Sequence, residues 1–153
     1  MRIGLGLARA AAAVSLLAVS LLPARAAEPI RIGFGMALTG GLAGNGKAAL
    51  LAMQMWEEDV NAKGGLMGRP VKLIYYDDQT NPSIVPGLYT KLIEVDKVDL
   101  VIAGYGTNVE APAMPVVIQH GMMYIGIFGL DVNAQFNYDR FFQIQPMGLG
   151  FEI

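Results

Sequence analysis

A few residues have types and spacing that could do chemistry. Gly41-x-x-x-x-Gly46-Lys47 matches the opening of a phosphate-cradling loop, in which bare backbone N–H groups and a lysine hold a polyphosphate. The next position is Ala48, where such a loop needs a Ser or Thr hydroxyl for magnesium, so triphosphate binding is disfavoured. Gly33-x-Gly35 opens like a dinucleotide fingerprint, but its third glycine position is Leu38, and both glycines fall inside a strand rather than after it. What remains for this turn is a smaller anion, such as a carboxylate, met by backbone N–H groups near a helix start.

His120 is the one histidine, there is no cysteine, and no acidic residue stands at ligand spacing around the histidine. Neither a metal site nor a thiol nucleophile is expected, and no cofactor. Asp77-Asp78 offers two carboxylates, but neighbours on a strand point to opposite faces and cannot easily share a substrate, so a turn role fits better. With no Ser/His/Asp arrangement either, the chain does not read as an enzyme. Thr107, between Gly106 and Asn108 at a helix start, is either a helix cap or a donor to a ligand carboxylate. Asp131 is either a solvated loop aspartate or the partner of a ligand ammonium. Tyr105 and Phe128 either enclose an apolar ligand part or pack on the sheet edge.

Composition narrows the partners. Met1–Ala26 has a short basic start, an apolar run from Ala10 to Leu22, Pro23, and small residues at Ala24 and Ala26, the layout of a cleavable secretory signal. Three of the 11 basic residues (Arg2, Arg9, Arg25) and none of the 13 acidic ones fall in it, which leaves a net charge of −5 on residues 27–153. That balance argues against nucleic acid and against an anionic membrane surface. Without a cysteine to carry a lipid anchor, an untethered protein of the periplasm is expected.

The elements that must position these residues follow a repeating order. Ile30–Met36 is a mostly apolar strand, Leu38–Gly46 a glycine-rich turn, and Lys47–Asn61 an amphipathic helix with Leu50, Leu51, Met53, Met55, Trp56 and Val60 on one side and Glu57, Glu58 and Asp59 on the other. Strands over Val71–Tyr76, Leu100–Ala103, Met122–Ile127 and Arg140–Gln145 alternate with helices over Ile84–Val95 and Val109–His120, the latter bent at Pro115. Helix-sized crossovers between strands predict an α/β fold with a doubly wound, mostly parallel sheet. Ligands of such sheets sit outside the carboxyl ends of the strands, where three loops gather: Thr39–Gly46, Gly104–Asn108 and Phe128–Asn133.

At this point a family resemblance becomes visible. Ile32-Gly33-Phe34, Leu38-Thr39-Gly40-Gly41, the block Asn61-Ala62-Lys63-Gly64-Gly65-Leu66-Met67-Gly68-Arg69-Pro70-Val71 and the block Tyr76-Asp77-Asp78-Gln79-Thr80-Asn81-Pro82 resemble the N-terminal lobe of type I periplasmic binding proteins. The branched-chain amino-acid (Leu/Ile/Val-type) substrate-binding proteins of ABC transporters are the nearest group. The resemblance runs from Ile30 to Pro146 and implies a two-lobed clamp that closes on a small ligand and delivers it to a permease in the inner membrane. By it, residues 27–153 form a first lobe, incomplete at its C-terminus and lacking the second lobe, for which weak or undetectable ligand binding is expected. Thr107 falls where the family has a ligand-contacting hydroxyl. The candidate contacts are Tyr105, Gly106, Thr107 and Asn108, then Phe128, Gly129, Leu130 and Asp131, and Asn45 where leucine-type proteins carry an aromatic residue. Asn45 and the Phe128–Val132 sequence depart from the leucine-type pattern, which leaves the ligand an amino acid, an amide or a small carboxylate. A sensor domain of the same fold is the alternative to transport.

Overall fold

The computed structural model describes residues 27–130 and 132–145; the expected signal segment and Asp131 lie outside the described residues. The elements are β1 (Ile30–Met36), α1 (Ala43–Ala62), β2 (Val71–Asp77), α2 (Val85–Glu94), β3 (Leu100–Ile102), α3 (Thr107–Glu110), a 3-10 turn (Ala111–Ala113), α4 (Met114–Gln119), β4 (Tyr124–Gly126), α5 (Asn133–Phe136) and β5 (Phe141–Gln143). The five strands form one parallel sheet in the order β2-β1-β3-β4-β5. β1 pairs with β2 along its whole length, from Ile30 beside Val71 to Met36 beside Asp77.

The two sheet faces are divided by strand alternation. Ile32, Phe34 and Met36 of β1 join Val71 and Leu73 of β2 beneath Ala49 and Met53 of α1. Val101, Ala103 and Tyr124 point the other way, into a core with Val85, Tyr89 and Leu92 of α2 and Met114 and Val117 of α4. On the α1 side the helix covers β1 and β2, while Phe142 of β5 and Ile144 just beyond it are 53% and 67% exposed.

The first helix departs from the expected stripe. Its sheet-facing residues are Gly46, Ala49, Met53, Glu57 and Val60, spaced three or four apart, while Leu51, Met55 and Trp56 are exposed. Glu57, expected on the solvent side, instead accepts the Leu73 N–H at 2.9 Å. Asn61 accepts the Val71 N–H at 2.7 Å and donates to the Val71 carbonyl at 2.9 Å. β2 is an edge strand, so its outward backbone groups need partners, and these polar side chains of α1 supply them. The helix also begins earlier than expected, at Ala43. Gly44, Asn45 and Gly46 are therefore helical, and of the turn's glycines only Gly40 takes a positive φ. Gly46 serves close approach instead: a Cβ there would collide with the Ala37 carbonyl.

The third expected helix is broken into α3, the 3-10 turn and α4. Pro112 and Pro115 lie within it, and each removes a backbone donor and crowds the preceding turn. The Phe128–Asn133 loop runs into α5, a one-turn helix too short to carry an apolar periodicity that would announce it.

Candidate functional site

Because the sheet is parallel, the turns after β1, β2, β3 and β4 leave it at one edge. The order β2-β1-β3 reverses the direction of winding at β1/β3, the place where ligands of open α/β sheets bind.

Hydrogen bonds from the end of β2 build the first rim. Asp77 accepts from the Leu38 and Thr39 N–H groups, both at 3.1 Å, from the Thr39 hydroxyl at 2.7 Å and from the Gln79 N–H at 2.8 Å. Burial alone would raise its carboxyl, but these bonds outweigh burial and hold it below the ordinary aspartate range. Gln79 and Thr80 both lie in the left-handed region, with φ of 56° and 57°. For a β-branched threonine this is strained by about 1–3 kcal/mol, a cost that persists only where the surroundings over-determine it. They do: the Thr80 N–H donates to Asp78 Oδ1 at 2.8 Å, its hydroxyl donates to the Thr39 carbonyl at 2.9 Å and accepts the Leu42 N–H at 3.2 Å. Asn108 Nδ2 then donates to the Thr80 carbonyl at 3.4 Å, tying the turn after β2 to the one after β3.

The second and third loops meet through the expected residues. Gly106, at φ 114° and ψ 143°, occupies the cap position, and Thr107 is the first residue of α3 with no side-chain cap bond formed there. The helix-cap alternative for Thr107 is therefore displaced: its Oγ1 reaches across to accept the Leu130 N–H at 2.9 Å. Tyr105 and Phe128 stack with ring centroids 5.4 Å apart at 22°. Gly129 sits over the buried Glu110, whose carboxylate fills the place a Cβ would take, and its carbonyl accepts from Gln143 Nε2 at 2.6 Å.

Tyr105, Gly106, Thr107, Asn108, Phe128, Gly129 and Leu130 thus lie on two adjoining loops at one sheet edge. Asn45 is exposed in the first turn of α1, and the first-loop residue that meets the second loop is Leu42, whose Cδ1 lies 2.9 Å from where a Cβ on Gly106 would stand. An apolar groove of about 310 Å³ opens beside this edge on the α1 face, lined by Ala52, Met53, Trp56, Ile102, Ile127 and Phe128. His120 closes α4, with Nδ1 2.8 Å from the Val116 carbonyl and Nε2 3.1 Å from Glu94, a partner that sequence spacing did not reveal. Among the described residues no group of three His, Asp or Glu side chains gathers as a metal site.

Sequence reading missed Thr80, Glu110 and the buried tyrosines Tyr89 and Tyr124. For Thr80 a signal existed: Asp77 and Asp78 each bond the N–H two residues on, the pattern of an Asx turn. Glu110 and the tyrosines carried none, since their burial depends on which helices pack against the sheet.

Comparison with known proteins adds to this geometry. Residues 29–146 match a family model described as periplasmic binding protein. Over 96 residues the chain is 29% identical to the Leu/Ile/Val-binding protein homolog 2 of Brucella abortus (strain 2308), covering 63% of this chain and 26% of that protein. Its fold superposes with a TM-score of 0.73 and 22% identity on the branched-chain amino-acid transporter substrate-binding protein LivJ of Streptococcus pneumoniae, solved with isoleucine, covering 78% of this chain and 34% of that one. An ABC-transporter solute-binding protein of Rhodopseudomonas palustris BisB5, solved with 3,4-dihydroxybenzoic acid, superposes with a TM-score of 0.68 and 21% identity, covering 78% of this chain and 32% of that one. The chain therefore spans about a quarter of the Brucella relative and about a third of these structures.

Proposed function

The chain belongs to the periplasmic binding protein family, and on that premise we propose that it forms one wall of the ligand cleft of an extracytoplasmic solute-binding protein, part of an ABC importer. The ligand is a small amino acid of the branched-chain class, held between this lobe and a second one and passed to an inner-membrane permease. The observation that carries this reading is the meeting of Thr107 with the Leu130 loop at the carboxyl edge of the sheet. A hydroxyl has one donor and two acceptor lone pairs. With one lone pair taken by Leu130, Thr107 keeps its proton for a ligand carboxylate. The six other described candidate contacts on these two loops provide polar backbone and an aromatic wall, as a small-molecule cleft needs.

A second reading of the ligand rests on the stacked Tyr105–Phe128 pair, which offers a flat face to an aromatic ring. On this reading the ligand is an aromatic carboxylate rather than an aliphatic amino acid.

Both are tested by titrating the isotope-labelled chain with leucine, isoleucine, valine, asparagine and 3,4-dihydroxybenzoate and following backbone NMR shifts. One wall alone supports binding of about millimolar strength, near −4 kcal/mol. Shifts at Gly106, Thr107 and Leu130 with an aliphatic amino acid are the expected result, and shifts there with the benzoate alone favour the second reading. No response to any of the five at tens of millimolar sinks both.

A further inference from the structure

Beneath the second glycine turn lies a carboxyl group that the proposed ligand contacts do not use. Asp78 is fully buried at the end of β2. Its Oδ1 accepts the Thr80 N–H at 2.8 Å, while Oδ2 accepts no hydrogen bond among the described residues. That second oxygen is wedged between two strands. It lies 3.5 Å from where a Cβ on Gly35 of β1 would stand and 3.0 Å from the corresponding point on Gly104, which opens the turn after β3. The Gly35 carbonyl oxygen is 3.2 Å from that same point on Gly104. A buried, unpaired carboxylate oxygen costs several kcal/mol, whereas a protonated Oδ2 could donate to an acceptor bordering the same space, of which the Gly35 carbonyl is one.

We propose that Asp78 is the positioning residue of the Gly104–Thr107 turn, its buried Oδ2 holding the end of β1 and the start of the turn together when the carboxyl is protonated. The groups that face it agree in sign. Asp77 stands beside it on β2, Tyr89 reaches it from α2, and Tyr124 and Glu110 lie behind Tyr89. No lysine, arginine or histidine forms an ion pair with it among the described residues. Burial pushes its carboxyl up, the Thr80 N–H pulls against this, and the neighbouring Asp77 charge adds to the rise. Small-residue positions on both sides are part of the device, since a side chain at Gly104 would displace the Asp78 oxygen. The consequence for ligand rests on the proposed role of this turn; the measurements below need no ligand, so the two fail separately.

The direct test is a carbonyl-carbon NMR titration of Asp78 in the unaltered chain. The expected midpoint lies above the ordinary 3.8, and one at or below it overturns the proposal. Variants supply the positioning arm. D78N keeps the shape and a donor but cannot ionise; D78A has neither. Hydrogen-exchange protection at Ala103, Val109 and Glu110, whose N–H groups donate to the Ile125 and Gly106 carbonyls on either side of the turn, should survive in D78N and fall by roughly tenfold in D78A, the effect of leaving a buried group unpaired. Protection unchanged in D78A, or lost equally in both variants, overturns the positioning role. In urea denaturation, D78N should gain on wild type as pH rises, because a group raised in the fold contributes fully below 3.8 and loses that contribution through its folded value. A wild-type advantage growing with pH overturns the proposal again.

Discussion

Replacing Gly106 by alanine tests the geometry of the ligand-facing turn with least ambiguity. Its backbone, at φ 114° and ψ 143°, lies in a region that L-residues rarely enter. Holding alanine there costs about 1–3 kcal/mol. The added Cβ would also stand 2.7 Å from Asn108 Oδ1 and 2.9 Å from Leu42 Cδ1. Both are ends of flexible side chains, so they yield by rotating, but Asn108 then gives up its long bond to Thr80 and contributes a few tenths of a kcal/mol more. The expected total is about 1.5–3 kcal/mol, which with a urea slope of about 1–3 kcal/mol/M lowers the midpoint by roughly 1 M. Gly41→Ala is the matched control: it sits in the neighbouring turn without a positive φ, and nothing lies within 4 Å of its Cβ position. There alanine should be neutral or stabilise by about 0.4–1 kcal/mol through the unfolded chain. Equal midpoints for G106A and wild type would refute the strain, and an equal loss in both variants would refute its assignment to Gly106.

Two further outcomes follow from the same structure. Thr107→Val should leave stability within about 1 kcal/mol, since the Leu130 N–H is near solvent and water can replace the lost acceptor, while Thr107→Ser retains the bond. The valine variant should abolish ligand-induced NMR shifts; a full response from it would remove the hydroxyl from the proposed site. His120 is raised above 6.5 by its bond to the Val116 carbonyl and by Glu94, so its contribution is complete below 6.5 and is lost as pH rises through the folded value. Imidazole NMR titration should find Glu94→Gln moving His120 back towards 6.5, and no movement would mean the pair is not formed in solution.

The regular architecture was legible locally because it is written locally. Ile30–Met36 was bounded by its apolar run, Val71–Tyr76 by β-branched and aromatic residues, and strands alternating with helix-length segments admit little but a parallel, doubly wound sheet. The two sequence blocks at residues 61–71 and 76–82 carried the family. Prolines marked the third helix as irregular, though only packing showed that it breaks into three pieces.

What the tertiary structure decided are the partners that lie far apart in the chain. Glu57 and Asn61 look like residues of a solvated helix face until the edge strand β2 is laid beside them with its backbone donors unpaired. Thr107 resembled a helix cap, and its bond to Leu130, 23 residues on, exists only because β3 and β4 are neighbours in the sheet. Asp78 was one of a pair of turn aspartates until β1 and β3 closed around its second oxygen. Periodicity and turn chemistry report the preferences of a few consecutive residues. Which side chain meets which across the carboxyl edge depends on sheet order, and sheet order is chosen by the burial of the whole core.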